Sequence, residues 1–476
     1  MRTTSGTGTA NVGLRNDATG VNCVVTGTWQ RFSVINATAI NFSNIQILSF
    51  TSIPGTDVSA DILVWGAQSE PVTYQTTPGP YVATTASPYY GPRFDYDPVT
   101  LAPRGLLIEE ARTNLILRSE EFNSASWLSF AALVSADVTA APSGVTVADK
   151  ITEAAGAANQ SVYNGNTAPF STVTASTYFK SSERTFAHLS VSGGGSAQWF
   201  AATFNLTTGV VTQQLAGASG TISGATITNA GNGWYRCTVT GITGASTAST
   251  FVYCGPSTTA TPTPGSFGVL AYSGTAGSGI FAWGAQLEAG AFATSYIPTV
   301  ASTVTRNADV AQMTGTNFSS WFNSARGTFV ASVGSGANGR CVLVASDNSV
   351  TNQLIMVSTA DNIFAVYTGG SYQAMLGVTP AAPFASTGAY ATNDFAACAN
   401  GGTVATDTSG SLAASYTQMS IGSNYNGSGV FLNGLIRAIA YYNTRLPNTQ
   451  LQTLTAPSLA SPLALDFLST SYTVGY

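Results

Sequence analysis

The sequence predicts an all-β chain of serial β-sandwiches, on three observations. Short apolar, β-branched or aromatic runs recur about every 8–12 residues, bounded by Gly, Pro, Asn or Ser. Only 8% of the 476 residues are charged while 44% are hydrophobic, so hydroxyls and amides must solvate the surface. Such a composition disfavours helices and suits strands joined by small-residue turns. Finally, the chain repeats itself. "GTWQRFSV" (27–34) and "VWGAQSEPVTYQTTP" (64–78) return as "NGWYRCTV" (232–239) and "AWGAQLEAGAFATSYIPT" (282–299). Trp29 and Arg31 match Trp234 and Arg236, and Trp65-Gly66-Ala67-Gln68 matches Trp283-Gly284-Ala285-Gln286. The tryptophans lie 36 residues apart in one copy and 49 in the other. Loops of different length on one strand framework explain the difference.

The elements follow in order. The first copy begins at Met1, with no room for the front strands that precede the second. Residues 1–70 are therefore expected to be a partial sandwich whose open edge and core face another protein or subunit covers. Residues 71–118 form a Pro/Tyr-rich connector. Residues 119–300 form a complete sandwich, with strands at "FAHLSVSG" (186–193) and "QWFAATFNL" (198–206). A hairpin, "NLTTGVVTQ" (205–213), turns at Thr207-Thr208-Gly209. Residues 301–456 form a second kind of sandwich without a WGAQ element, its strands including "RCVLVAS" (340–346), "QLIMVST" (353–359) and "GLIRAIAYYN" (434–443). One helix is expected at "LPNTQLQTLTA" (446–456), capped by Asn448 or Thr449, with Leu451 and Leu454 on one face. The tail 457–476 is apolar enough to dock.

Composition excludes several functions. The net charge is −5, and two lysines (Lys150, Lys180) with scattered arginines supply no phosphate-neutralising surface, so no nucleic acid is expected. No run approaches 18 apolar residues, so no membrane insertion is expected. The start, "MRTTSGTGTANVG", shows no hydrophobic signal segment. Five cysteines, an odd number without a CxxC pair, are expected to be buried reduced thiols.

Charge concentrates in one place: ten of the charged residues lie between Arg93 and Glu121. That stretch, "RFDYDPVTLAPRGLLIEEARTNLILRSEEFNSASW" (93–127), resembles a connector of bacteriophage virion proteins that introduces a jelly-roll domain of the head-spike or tail-fibre type. "NGWYRCTV", "FAWGAQLEAGAFATSYIPT" and "TRNAD" (232–309) look like the end of that domain. "RGTFVASV" (326–333), "NDFAACANGG" (393–402), "MSIGSN" (419–424) and "LNGLIRAIAYYNTRLPNTQLQTLT" (432–455) are similar to a concanavalin A/laminin-G-like sandwich. The resemblance spans roughly residues 60–456. It implies a partial jelly roll, a complete jelly roll and a concanavalin A-like domain. It also implies a virion location, contacts with other virion proteins, and a homo-oligomer, a trimer as in such fibres. Leu106, Leu107 and Ile108 are expected to pack against the following sandwich. Glu109, Glu110, Arg112 and Asn114 are expected to hydrogen-bond across chains or domains, the alternative being a solvated connector.

No catalytic residues are expected. Glycoside hydrolysis needs two flanking carboxylates, and no glutamate follows Glu288 while the later aspartates are scattered. The one histidine, His188, sits in a strand without a GxSxG elbow. Asp95 and Asp97 share a strand face that a calcium ion could use, but a turn is the simpler expectation, and no metal or cofactor is expected. Glycan binding is the surviving activity, with a host-surface polysaccharide as ligand. Aromatic faces and amides on strand-end loops suit sugars. The candidates are Trp199, Tyr367, Tyr372, Asn424, Tyr425 and Asn426. The alternatives are a decoration subunit with virion contacts only, and a polysaccharide depolymerase.

Overall fold

A computed structural model describes residues 1–16, 19–35, 45–49, 56–57, 59–68, 92–167, 171–244, 249–337, 339–358, 363–377 and 382–456. Residues 69–78, which follow the first "WGAQ" motif, most of the expected connector before Arg93, and the tail 457–476 lie outside them. The chain divides into two compact units, 1–91 and 92–476.

The first unit is small. Strands Thr9–Asn16, Thr19–Thr26 and Ile45–Ser49 form one antiparallel sheet, and Arg2–Thr3 pairs with Ile62–Leu63. Alternation along Thr19–Thr26 turns Cys23 and Val25 inward onto Val12, with Phe32 and Ile62 packed alongside. The guanidinium of Arg2 lies 5.4 Å from the Trp29 ring centre, and Trp29 stays 54% exposed.

The second unit holds two sandwiches in succession. Eight strands of the first have the strand order of a jelly roll. One sheet runs Thr146–Thr152, Gly279–Ala289, Val173–Ser181, Trp234–Ile242, and the other Val162–Thr167, Ser249–Ser257, Phe186–Ser192, Trp199–Asn205. Counted in chain order, these are strands one, eight, three, six and two, seven, four, five. Edge strands Leu133–Ala140 and Thr221–Gly231 widen the first sheet to six, and Leu128–Ser129 and Val210–Ala216 do the same for the second. The predicted hairpin is present: Gly209 adopts φ +68, and Asn205 Oδ1 accepts the N–H groups of Thr207 and Thr208. Phe179, Val239 and Leu287 from one sheet meet Leu189, Phe200 and Phe204 from the other in a sealed core. The repeated tryptophans form a second, smaller cluster outside it. Trp283 lies 4.7 Å from Tyr296 and 5.2 Å from Tyr178, and Trp234 joins them fully buried.

The second sandwich packs a six-stranded sheet against a seven-stranded one. Leu343, Phe364 and Met419 of the first face Phe329, Tyr390 and Phe395 of the second. The helix, Asn448–Thr455, covers the seven-stranded sheet with Leu451 and Thr455 buried. Its cap differs from expectation: Pro447 occupies the N-cap, and neither Asn448 nor Thr449 caps it by side chain.

The charged stretch is itself strand. Arg93–Tyr96 and Pro103–Ile108 form a hairpin, and Pro103–Ile108 pairs with Gly434–Tyr442 at the edge of the seven-stranded sheet. Here the structure corrects the sequence-based expectation. Ile108, 1% exposed, enters the core of the C-terminal sandwich rather than packing on the jelly roll that follows it in sequence. Gly105 permits the pairing, because at φ +125 an added Cβ would lie 2.3 Å from the carbonyl oxygen of Ile436.

Candidate functional site

The short strand Arg112–Asn114 leaves the C-terminal sandwich and pairs with Val304–Arg306, the segment that returns from the jelly roll. Both crossings between the sandwiches thus run side by side, and the charged residues tie them together. Arg93 donates from Nη2 to Glu109 at 2.9 Å, from Nη1 to Ser295 Oγ at 2.6 Å, and from both Nε and Nη2 to Asp309. Glu109, 7% exposed, also accepts the Ser295 N–H at 2.9 Å and pairs with Arg306 at 3.4 Å. Burial alone would raise the Glu109 pKa. The Ser295 hydrogen bonds and the Arg306 and Arg93 charges outweigh that and hold it below the usual glutamate value.

The next residues extend the lock in both directions. Glu110 accepts from Asn433 Nδ2 at 3.0 Å in the C-terminal sandwich, and its own N–H donates to Asn433 Oδ1. Arg112 binds Glu110 and lays its guanidinium 4.7 Å from the Phe292 ring centre of the jelly roll. Asn114, fully buried, donates to the carbonyls of Ala285 and Ile297 and accepts the N–H groups of Ile116 and Leu287. All four named candidates, Glu109, Glu110, Arg112 and Asn114, therefore sit at the junction of two sandwiches of one chain.

The junction frames a cleft of 620 Å³. Its floor is the outer face of the jelly-roll sheet, where strand alternation turns Tyr178, Arg236, Thr238 and Thr240 away from the core. Thr226 meets Thr238 hydroxyl to hydroxyl at 2.6 Å, and Thr228 stands beside it on the floor. One wall is the Arg93–Ile108 hairpin, contributing Asp95, half-exposed Tyr96, Pro98 and Arg104. The other is Phe292, the ring that Arg112 holds in place. Asp97 makes the turn expected of it. Its Oδ1 accepts the N–H groups of Val99 and Thr100 and its Oδ2 pairs with Arg104, which lowers its pKa well below the carboxylate range. Among the described residues no cluster of three or more His, Cys, Asp or Glu side chains could hold a metal ion.

None of the six predicted sugar-contact residues lines this cleft. Trp199 is a correction. It is 8% exposed, its indole N–H donates to the Ser196 carbonyl, and its ring closes onto Gly217 and Gly268, leaving no face for a sugar. Tyr367 and Tyr372 meet edge to face at 4.9 Å on a hairpin of the C-terminal sandwich, with Tyr372 60% exposed. Asn424 and Asn426 spend their side-chain oxygens on their own loop, Asn424 on the N–H groups of Ser428 and Gly429, and Asn426 on Ser428. The Tyr425 carbonyl accepts from Gln418 and Ser346, so this loop is held from within. His188 is buried between Thr203 Oγ1 and the Gly268 carbonyl, and burial lowers its pKa to about 4.

The floor residues carry a signal in the sequence. Thr226 and Thr228 in "TISGATIT", and Arg236, Thr238 and Thr240 in "WYRCTVT", stand at every second position. The walls left none, because they come from segments more than 50 residues away on either side.

No family model matches the chain, and no curated protein matches it. Among solved structures, the mouse laminin alpha1 chain, domains LG4-5, is similar at 9% identity with a TM-score of 0.22, covering 77% of this chain and 96% of that one. The LG1-3 region of the laminin alpha2 chain is similar at 9% identity with a TM-score of 0.18, covering 66% of this chain and 65% of that one. Superpositions this loose transfer neither a site nor a ligand.

Proposed function

We propose that the chain is a virion spike or fibre subunit that binds host-surface glycan without cleaving it, and that the cleft between its two sandwiches is the binding site. The observation that carries this reading is the composition of the cleft. Rows of threonine hydroxyls lie between aromatic rings, in a concavity whose walls are fixed by ion pairs. Sugars are held by apolar ring faces against aromatic side chains and by hydrogen bonds from preorganised polar groups. Asp95 is the one carboxylate among the lining residues. Hydrolysis of a glycosidic bond there would call for a second. The virion setting rests on the resemblance of residues 93–127 and 232–309, which also carries the proposal of a homotrimer.

A glycan array probed with the intact protein tests the reading. Binding by the native chain, lost in Tyr96→Ala and in Phe292→Ala while the melting temperature holds, supports it. An array without any bound glycan would favour a decoration subunit. Release of reducing ends from host capsule would favour a depolymerase.

A further inference from the structure

The cleft has an uneven charge, and this deepens the proposal above, on which the present one rests. Arg93, Arg104, Arg112 and Arg306, the other arginines of the junction, each meet a carboxylate. Arg236, on the floor, meets none among the described residues. Its Nη2 donates to Ser176 Oγ at 2.9 Å and its guanidinium lies 5.6 Å from the Tyr178 ring centre. Its Nε is buried with no hydrogen-bond partner. The hairpin wall differs: its one lining carboxylate, Asp95, lies 3.6 Å from Arg104, which also holds Asp97. A ligand in this cleft thus meets a basic floor and a wall on which Asp95 is balanced by Arg104.

We infer that the cleft selects saccharides bearing a carboxylate, with the acid group on Arg236 and neutral hydroxyls toward Asp95. A guanidinium stacked on an aromatic ring is pre-oriented and only weakly hydrated, and its planar fork matches a carboxylate in two parallel hydrogen bonds. Thr228 and Thr238, beside Arg236 on the floor, can hydrogen-bond the neighbouring sugar hydroxyls. The wall completes the selection, since carboxylates accept hydrogen bonds from hydroxyls. The preferred ligand therefore carries its charge on one side.

The test is an array of hexuronate-, sialate- and pyruvate-bearing saccharides, each beside its carboxyl-reduced form and a sulfated counterpart, followed by titration calorimetry on the best binder. The intact protein should prefer the carboxylated member of a pair. Arg236→Gln should weaken that binding about 10- to 100-fold, the range for a charged hydrogen bond, and leave the reduced form within about twofold. Arg236→Lys keeps the charge without the fork and should restore only part of the affinity. Melting temperatures of both variants check that the sheet is intact. Equal affinity for acid and reduced forms, an unchanged acid preference in Arg236→Gln, or a preference for sulfate over carboxylate would overturn the inference while leaving glycan binding in place. No binding to any saccharide would remove the underlying proposal instead.

Discussion

Glu109 shows how much a single side chain does at the junction. It neutralises two arginines in a place where water reaches little of it. Glu109→Gln keeps the shape but leaves Arg93 and Arg306 with less opposing charge. A loss of about 3 kcal/mol is expected in urea unfolding, typical of breaking one partner from a buried pair. Because its pKa is depressed in the fold, its contribution is present above the unfolded value of about 4.3 and is lost as pH falls through the lower folded value. His188 works against the fold in acid. Its folded pKa of about 4 lies below the unfolded value of about 6.5, so the unfolded chain takes up a proton first as pH falls. Stability should drop by roughly 1.4 kcal/mol per pH unit across that window. Replacing the imidazole in His188→Gln should flatten this slope, as unfolding midpoints measured from pH 7 to pH 4 would show.

At the scale of elements, alternation and turn chemistry made most strands legible. The 205–213 hairpin, the strands of both sandwiches and the helix near 448 all lie where local pattern put them. Partners distant in sequence were not legible. "GLLI" suits packing on the domain that follows, yet Ile108 enters another core and pairs with Gly434, more than 300 residues later. Trp199 is a sugar platform by its local sequence, but Gly217 and Gly268, which close over its ring, come from 18 and 69 residues further along the chain. Gly105 is a glycine whose need is plain from the backbone. Gly105→Ala places a methyl group against the Ile436 carbonyl and should cost about 2 kcal/mol or more through both the positive φ and the forced separation of strands. Calorimetry should show the shared transition of residues 92–456 moving to lower temperature.

For the molecule as a whole, the joint decides whether residues 92–456 behave as one cooperative body. Arg93 reaches Glu109, Ser295 and Asp309, which come from both crossings, so one guanidinium pins the two sandwiches. Asp309→Asn should split a shared calorimetric transition into two, and proteolysis should then cut near residues 301–310. Coincident melting of both sandwiches in that variant would show that the apolar contacts suffice. Concentrating charge here and omitting it elsewhere is how a chain with so few ions spends them on orientation instead of solubility. The five thiols have a consequence of their own. All are buried and unoxidised, one in the first unit, two in the jelly roll (Cys237, Cys254) and two in the C-terminal sandwich (Cys341, Cys398). Burial pushes Cys254 to about 12 and Cys341 to about 11, so neither reacts while its layer stays closed. Alkylation rates mapped by peptide mass would therefore time the opening of each body separately, with no residue substituted.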